Sequence, residues 1–248
     1  MKNTEIGLNI VILGNRQSES IENGDLFPAY LAERNGISVI QRILNSCNKI
    51  DNAKIVFSVL EADAQQFNLS DVLKQLSISA KLRITPDLTK GSACTALLAA
   101  CELIQNHELL ILSANEIVDI DLINLLQDFR SLKVDAATVV FHSIHPRYSY
   151  VQIDAQNNIS EIAQREPISS NATTGLFWFK KTSDFVEAAK NMIISRSPVQ
   201  DKYFVGLSLN ELILDGKKVG FKRISEDMYI PLKDQIQSTF YQIGVIDG

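Results

Sequence analysis

No stretch constrains the fold more than residues 88–121, LTKGSACTALLAACELIQNHELLILSANEIVDID, which read in order as loop, helix, buried strand and acidic loop. Gly91, Ser92 and Ala93 open the helix with small residues and bare backbone N–H groups, where an anion or a nucleobase can come close. Ala96, Leu97, Ala100 and Ile104 repeat behind them at helical spacing. Residues 108–112 form a short, mostly apolar run, the pattern of a parallel strand covered on both faces. Open α/β sheets take their ligands beyond the carboxyl ends of such strands, and Asn115, Glu116, Asp119 and Asp121 cluster there. The same residues also fit a plain helix cap and a solvated loop.

The flanking sequence carries on the strand–helix alternation. Residues 6–13 (IGLNIVIL) read as a first strand ending at Gly14, followed at 15–25 by a polar loop too long for an ordinary βα turn. A helix over 37–50, a strand over 53–60, a helix over 69–76 capped by Ser70 and a strand over 81–85 follow. Strands separated by single helices predict a right-handed, doubly wound parallel sheet. Beyond a helix at 122–129 and a strand at 136–141 the pattern changes. Strands at 148–153, 158–162 and 173–179 have no helices between them, and Gln156-Asn157-Asn158 suits a hairpin turn. A helix at 183–194 capped by Ser183, another at 207–214 stopped by Asp215-Gly216, a strand at 219–224 and a helix at 234–241 complete the chain. With no repeat, low-complexity tract or linker, residues 1–248 read as one domain, a parallel half followed by a mixed half.

Composition sets the class of partner. A net charge of −5 gives no electrostatic reason to expect nucleic acid or an anionic membrane surface. No run approaches the roughly 18 apolar residues of a membrane-spanning helix, and the opening residues lack a signal peptide's basic start and apolar middle. The expected compartment is the cytoplasm. Cys47, Cys94 and Cys101 form no C-x-x-C pair; Cys94 and Cys101, seven apart, are expected as core thiols on one helix face. His142 and His145 lie at a strand end beside Pro146, a poor setting for a metal. Ser18 and Ser20 lack a nucleophile-elbow pattern, and Trp178, alternating with Phe177 and Phe179, reads as core.

The segments FPAYLAERNG, TKGSACTALLA, LLILSANEIVDID, HPRYSYVQID, EIAQREPISSNATTGLFWFKK and NELILDGKKVG, in this order and spacing, resemble the sugar nucleotidyltransferases. These are the nucleotide-sugar pyrophosphorylases, which join a nucleoside triphosphate to a sugar phosphate. The short members encoded among capsule and lipopolysaccharide genes are the most similar. The resemblance covers nearly the whole chain. It implies a Rossmann-like nucleotidyltransferase (glycosyltransferase A-type) α/β fold, a mixed, mostly parallel sheet flanked by helices. It also implies a nucleoside triphosphate or nucleotide sugar and a sugar phosphate as ligands, with Mg²⁺ as cofactor if the chain is active. On that alignment Gly14 and Arg16 belong to the triphosphate loop, and Gly91, Ser92 and Ala93 to the base site. Asn115 and Asp227 take the metal positions, and Arg165 faces the sugar phosphate.

Several of these positions depart from the family pattern. The loop GNRQSES keeps one glycine, and Arg16 is out of register with the family arginine. Ala29 stands where a lysine normally neutralises charge building on the phosphates, and Asn115 stands where an aspartate normally holds the metal. Gln164-Arg165 replaces Glu-Lys and keeps the positive charge. Two readings follow: a transferase of altered activity, or an inactive relative that binds a ligand or partner. A third, a nucleotide-sugar-dependent glycosyltransferase, has only Asp119-Ile120-Asp121 as an acidic pair, a few residues late.

Overall fold

The computed structural model describes residues 7–14, 28–77, 79–85 and 89–232. The loop at 15–27, with Arg16, and the helix expected at 234–241 lie outside these residues. A nine-stranded sheet forms the frame. One side is parallel: β1 (Leu8–Leu13) lies between β6 (Glu108–Ser113) and β4 (Ala53–Leu60), and β5 (Ala80–Thr85) pairs with β4 at the edge. The other side turns antiparallel at β11 (Asn171–Phe179), which pairs with β6, β8 (Ala136–His142) and β9 (Ser149–Ile153). β10 (Ile159–Gln164) continues from β9, and β12 (Val219–Arg223) runs parallel to β8.

The central strands are apolar on both faces, and their alternation sorts the core into two layers. Leu8, Ile10, Ile12, Leu110, Leu112 and Trp178 face one layer, with Leu44 of α1 (Val39–Cys47) and Phe129 of α5 (Leu122–Ser131). Val11, Leu13, Leu109, Ile111 and Phe179 face the other. That second layer is covered by α4 (Ser92–Ala100), α6 (Thr182–Ile194) and α7 (Ser208–Leu214). Asn9 is the exception on β1. It is fully buried, and its amide donates to the Ile104 carbonyl at 2.9 Å and the Thr182 hydroxyl at 2.8 Å. Glu108 opens β6 paired with Arg130 through both carboxylate oxygens, at 2.6–3.1 Å.

Local departures from the expected elements have plain causes. Residues 37–38 pair with Glu33–Arg34 as the two-strand ribbon β2–β3, and α1 begins only after Ser38, whose hydroxyl accepts the Gln41 N–H at 3.3 Å. A one-turn helix α2 (Glu61–Gln66) precedes α3 (Leu69–Leu76). Asn68, in the left-handed region at φ 47°, precedes α3, so Ser70 is not its cap. Helix α6 starts at Thr182 after Lys181, with no side-chain cap from Ser183. The hairpin at 154–158 is as expected, with Asn157 at φ 63° and the Asp154 carboxylate accepting two backbone N–H groups. Asp121, one of the acidic cluster, caps α5 by accepting the Asn124 N–H at 2.8 Å.

The cysteines divide. Cys47 is buried and its thiol is pushed up to about 12 by desolvation. Helix α4 ends at Ala100, so Cys101 is exposed, Ile104 falls outside the helix and Cys94 is half-buried; the shared core face does not form. Among the described residues, no helix is long and apolar enough to cross a membrane.

Trp178, the single tryptophan, is 2% exposed and stacks on Phe129 with ring centroids 5.9 Å apart. Removing the Phe129 ring leaves a cavity that the surrounding helix and strands cannot close. Phe129→Ala is expected to destabilise the fold by roughly 3–5 kcal/mol, read as a lower urea midpoint with Trp178 fluorescence as the probe.

Candidate functional site

The carboxyl ends of β1 and β6 open into a cleft of about 240 Å³. Leu13, Ile111 and Phe177 form part of its wall, and Gly91, Ser92 and Thr95 bring in the start of α4. Gly91 has φ 104°, and a Cβ there would fall against the Tyr203 main chain, 2.8 Å from its nitrogen. Backbone hydrogen bonds explain the closeness: the Tyr203 N–H donates to the Lys90 carbonyl at 2.7 Å, and the Ala93 N–H donates to the Tyr203 carbonyl at 3.0 Å. The Ser92 hydroxyl accepts the Val205 N–H at 3.2 Å. One of the helix's bare N–H groups is thus already used inside the protein, and the Ala93 side chain is buried away from the cleft.

The floor is made where β11 loses its register. Pairing with β8 slips between Thr173 and Phe177, and the Thr138 hydroxyl reaches across to the Leu176 carbonyl at 2.8 Å. Thr173, Thr174 and Gly175 line the cleft at this bulge. Thr174 is 1% exposed and its hydroxyl has no hydrogen-bond partner among the described residues. Gly175 has no Cβ because Glu116 lies against it; a Cβ would sit 3.0 Å from the Glu116 carboxyl carbon. Ser113, Glu116 and Gly175 also wall a smaller cavity of about 60 Å³ beside Arg42.

Glu116 belongs to β7 (Glu116–Val118), paired antiparallel with β13 (Tyr229–Pro231). The Tyr229 phenol donates to its Oε2 at 2.5 Å. Burial first, then the Glu116 charge, push the Tyr229 phenol far above its ordinary range. Tyr229 stacks on Phe141 at 4.2 Å and meets Tyr148 edge-on at 5.7 Å, and the Arg147 guanidinium lies 5.3 Å from the Tyr148 ring centroid.

Cations gather across the cleft. Arg147, Arg165 and Lys202 all line it. Arg165 is a non-glycine residue at φ 61°; its N–H donates to the Tyr148 carbonyl at 2.9 Å and its Nη1 to the Gln200 Oε1 at 2.5 Å. Gln200 and Asp201, at φ 50° and 57°, form a tight turn closed by two backbone hydrogen bonds between Val199 and Lys202. Left-handed backbone at ordinary residues costs about 1–3 kcal/mol each and collects where surrounding structure enforces it.

Of the residues singled out from sequence, Gly91, Ser92, Asn115 and Arg165 meet at this cleft, and Gly14, Ala93 and Asp227 do not line it. Gly14 ends β1 with its N–H on the Ser58 carbonyl at 2.8 Å and its α-carbon against the Phe57 ring. Ala29 packs, partly buried, on the apolar cluster of Val39, Ile117 and Leu232. Asp227 lies in a short 3₁₀ turn, Glu226–Met228. Arg147 and Lys202 were given no role by the sequence reading. Arg147 stood within a quoted motif, but nothing in the local pattern of Lys202 marks it.

The donors do not match the metal site that the resemblance implies. Asn115 offers a neutral oxygen, Asp227 is not in the lining, and Glu116 is the one carboxylate among the described lining residues. Among the described residues no group of three or more His, Cys, Asp or Glu comes together in a way that would hold a metal ion.

Residues 26–217 match the nucleotidyl transferase family. The chain belongs to that family. Solved structures agree on the fold. A nucleoside-diphosphate-sugar pyrophosphorylase from Vibrio cholerae RC9 superposes with TM-score 0.75 at 19% identity, over 92% of this chain and 98% of that one. A candidate glucose-1-phosphate thymidylyltransferase from Bacillus anthracis gives 0.67 at 18%, over 88% and 87%. The inositol-1-phosphate CTP transferase from T. maritima gives 0.66 at 15%, over 89% and 87%. Among curated proteins, none matches. These nucleotidyl transferase relatives share the frame that places the cleft beyond β1 and β6.

Gly91→Ala tests how the cleft wall is held. The substitution forces a side chain into a left-handed conformation against the Tyr203 main chain. It is expected to lower stability by roughly 2–4 kcal/mol in urea titrations, with Gly36→Ala, open to solvent at φ 73°, losing much less.

Proposed function

We propose that this chain is a nucleotidyltransferase of nucleotide-sugar supply. It binds a nucleoside triphosphate in the cleft beside Gly91 and Ser92 and transfers the nucleotidyl group to a phosphorylated sugar or similar small metabolite. An acceptor phosphate oxygen attacks the α-phosphorus, the bond from that phosphorus to the β-bridging oxygen breaks, and pyrophosphate leaves. Arg165 orients the acceptor phosphate, and Arg147 and Lys202 offset the negative charge that gathers as the two phosphates meet. Family membership and the likeness to capsule and lipopolysaccharide members support a cytoplasmic role in surface-polysaccharide synthesis.

One observation carries this reading. The cleft sets the small-residue start of α4 and three cations around one space at the strand ends. That arrangement suits a nucleotide on one side and a phosphorylated acceptor on the other.

A second reading has its own observation. Ala29 packs into an apolar cluster and Asn115 is neutral, so with the glycine-poor loop three chemistry-bearing positions are altered together, and Asp227 is not in the lining. This favours a non-catalytic member that binds a nucleotide or partner. A coupled assay for pyrophosphate separates the two. Each nucleoside triphosphate is supplied with a panel of sugar phosphates and with Mg²⁺, the ion the resemblance implies. Turnover with at least one pair is expected, and Arg165→Ala should lower kcat/KM for the acceptor by roughly a hundredfold. Nucleotide binding by calorimetry with no pyrophosphate from any pair would leave the binding protein as the reading.

A further inference from the structure

The β9 and β10 side of the cleft carries a polar pair to which the proposed reading gives no part. Ser149 opens β9, Gln164 closes β10, and the two stand directly opposite each other in the antiparallel ladder. Both line the cleft, and the Ser149 hydroxyl donates to the Gln164 Oε1. Among the described residues neither side chain makes another hydrogen bond. Arg165 follows Gln164 in the chain and lines the same cleft. Successive side chains of a strand point to opposite faces, but the left-handed backbone of Arg165, φ 61°, breaks the alternation and lets both neighbours face one space. A phosphate oriented by Arg165 sets the attached sugar within reach of Gln164.

The chemistry of the pair is one-sided. A serine hydroxyl brings one donor hydrogen and a primary amide two, and their mutual bond consumes one of the three. Whichever way the amide is turned, donor hydrogens remain for a ligand. The resemblance has a glutamate at this position. A carboxylate there would take the Ser149 hydrogen and show the ligand lone pairs alone, which suit hydroxyl donors. Gln164 suits an oxygen that can only accept, the carbonyl of an acylamino group or of a carboxylate.

We infer that Gln164, oriented by Ser149, selects an acceptor whose sugar carries a carbonyl oxygen over one that offers hydroxyls alone. The inference rests on the proposed reading in taking the ligand at Arg165 as a phosphorylated sugar.

The coupled pyrophosphate assay tests it on the full chain, with each nucleoside triphosphate, Mg²⁺ and matched acceptors: a sugar phosphate, its acylamino analogue and its uronate analogue. At least one carbonyl-bearing analogue is expected to exceed the parent roughly tenfold in kcat/KM, through KM. Which analogue does so separates the acylamino from the carboxylate source. Gln164→Glu should shift that order toward the parent, by roughly a hundredfold in the ratio, because lone pairs then face the carbonyl. Ser149→Ala should narrow the ratio, and Ser149→Thr, which keeps the hydroxyl, should hold it. Each ratio is taken within one variant, so a loss of folded protein cancels. A parent used as well as or better than its analogues, or a ratio unmoved by Gln164→Glu, overturns the inference and leaves the proposed function standing. Where no pair releases pyrophosphate the proposed function fails, and titration calorimetry with the same acceptors decides the inference. The same order of affinities, moved toward the parent by Gln164→Glu, sustains it; no binding, or no such order, overturns it.

Discussion

The main chain of Tyr203 holds the site together. It gives its N–H to Lys90 and takes the N–H of Ala93, joining the start of α4 to a segment more than a hundred residues later. Only a residue without a side chain fits between, which is why Gly91 sits at φ 104° against that backbone. The clamp ties the parallel part of the sheet, which carries α4, to the turn that presents Lys202 and receives the Arg165 guanidinium through Gln200. The Ser92 hydroxyl adds a second tie to the same segment by accepting the Val205 N–H.

The second constraint is the bulge in β11. A strand that kept perfect register between β6 and β8 would present ordinary alternating side chains at the cleft. Here the slip between Thr173 and Phe177 lets Gly175 face Glu116 and leaves the buried Thr174 hydroxyl with no hydrogen-bond partner among the described residues. Such irregularities weaken a ladder locally, and they persist when neighbouring structure compensates. The compensation is visible: Thr138 bonds the Leu176 carbonyl, Trp178 stacks on Phe129, and Tyr229 secures the Glu116 carboxylate.

The frame was legible in the sequence because burial on both faces leaves a strong mark. The runs at β1, β4, β6 and β8 are apolar and β-rich, so their place in a sheet followed from composition alone. Helix boundaries were less legible. Val39 carries on the apolar stripe of α1, but Ser38 caps the helix and residues 37–38 pair with Glu33–Arg34 instead, a choice set by a neighbouring strand. Cys101 looked buried because periodicity was carried past Ala100, where the helix stops. At the site, Gly91, Ser92, Asn115 and Arg165 were legible through resemblance, since each falls in an ordered motif. Lys202 was not, because its position depends on two consecutive left-handed residues, Gln200 and Asp201, neither of them glycine. Local propensity argues against that turn, and tertiary contacts overrule it.

The same tertiary overruling bears on what the cleft is for. Arg165, Gln200 and Asp201 each occupy a backbone region that costs about 1–3 kcal/mol for an ordinary residue, and all three serve to place cations or their partners at the cleft. At the cleft that cost stands beside a buried hydroxyl with no hydrogen-bond partner among the described residues. Two costs thus meet at one cleft, the left-handed backbone and the unsatisfied hydroxyl. Both suit a cleft shaped for more than packing alone.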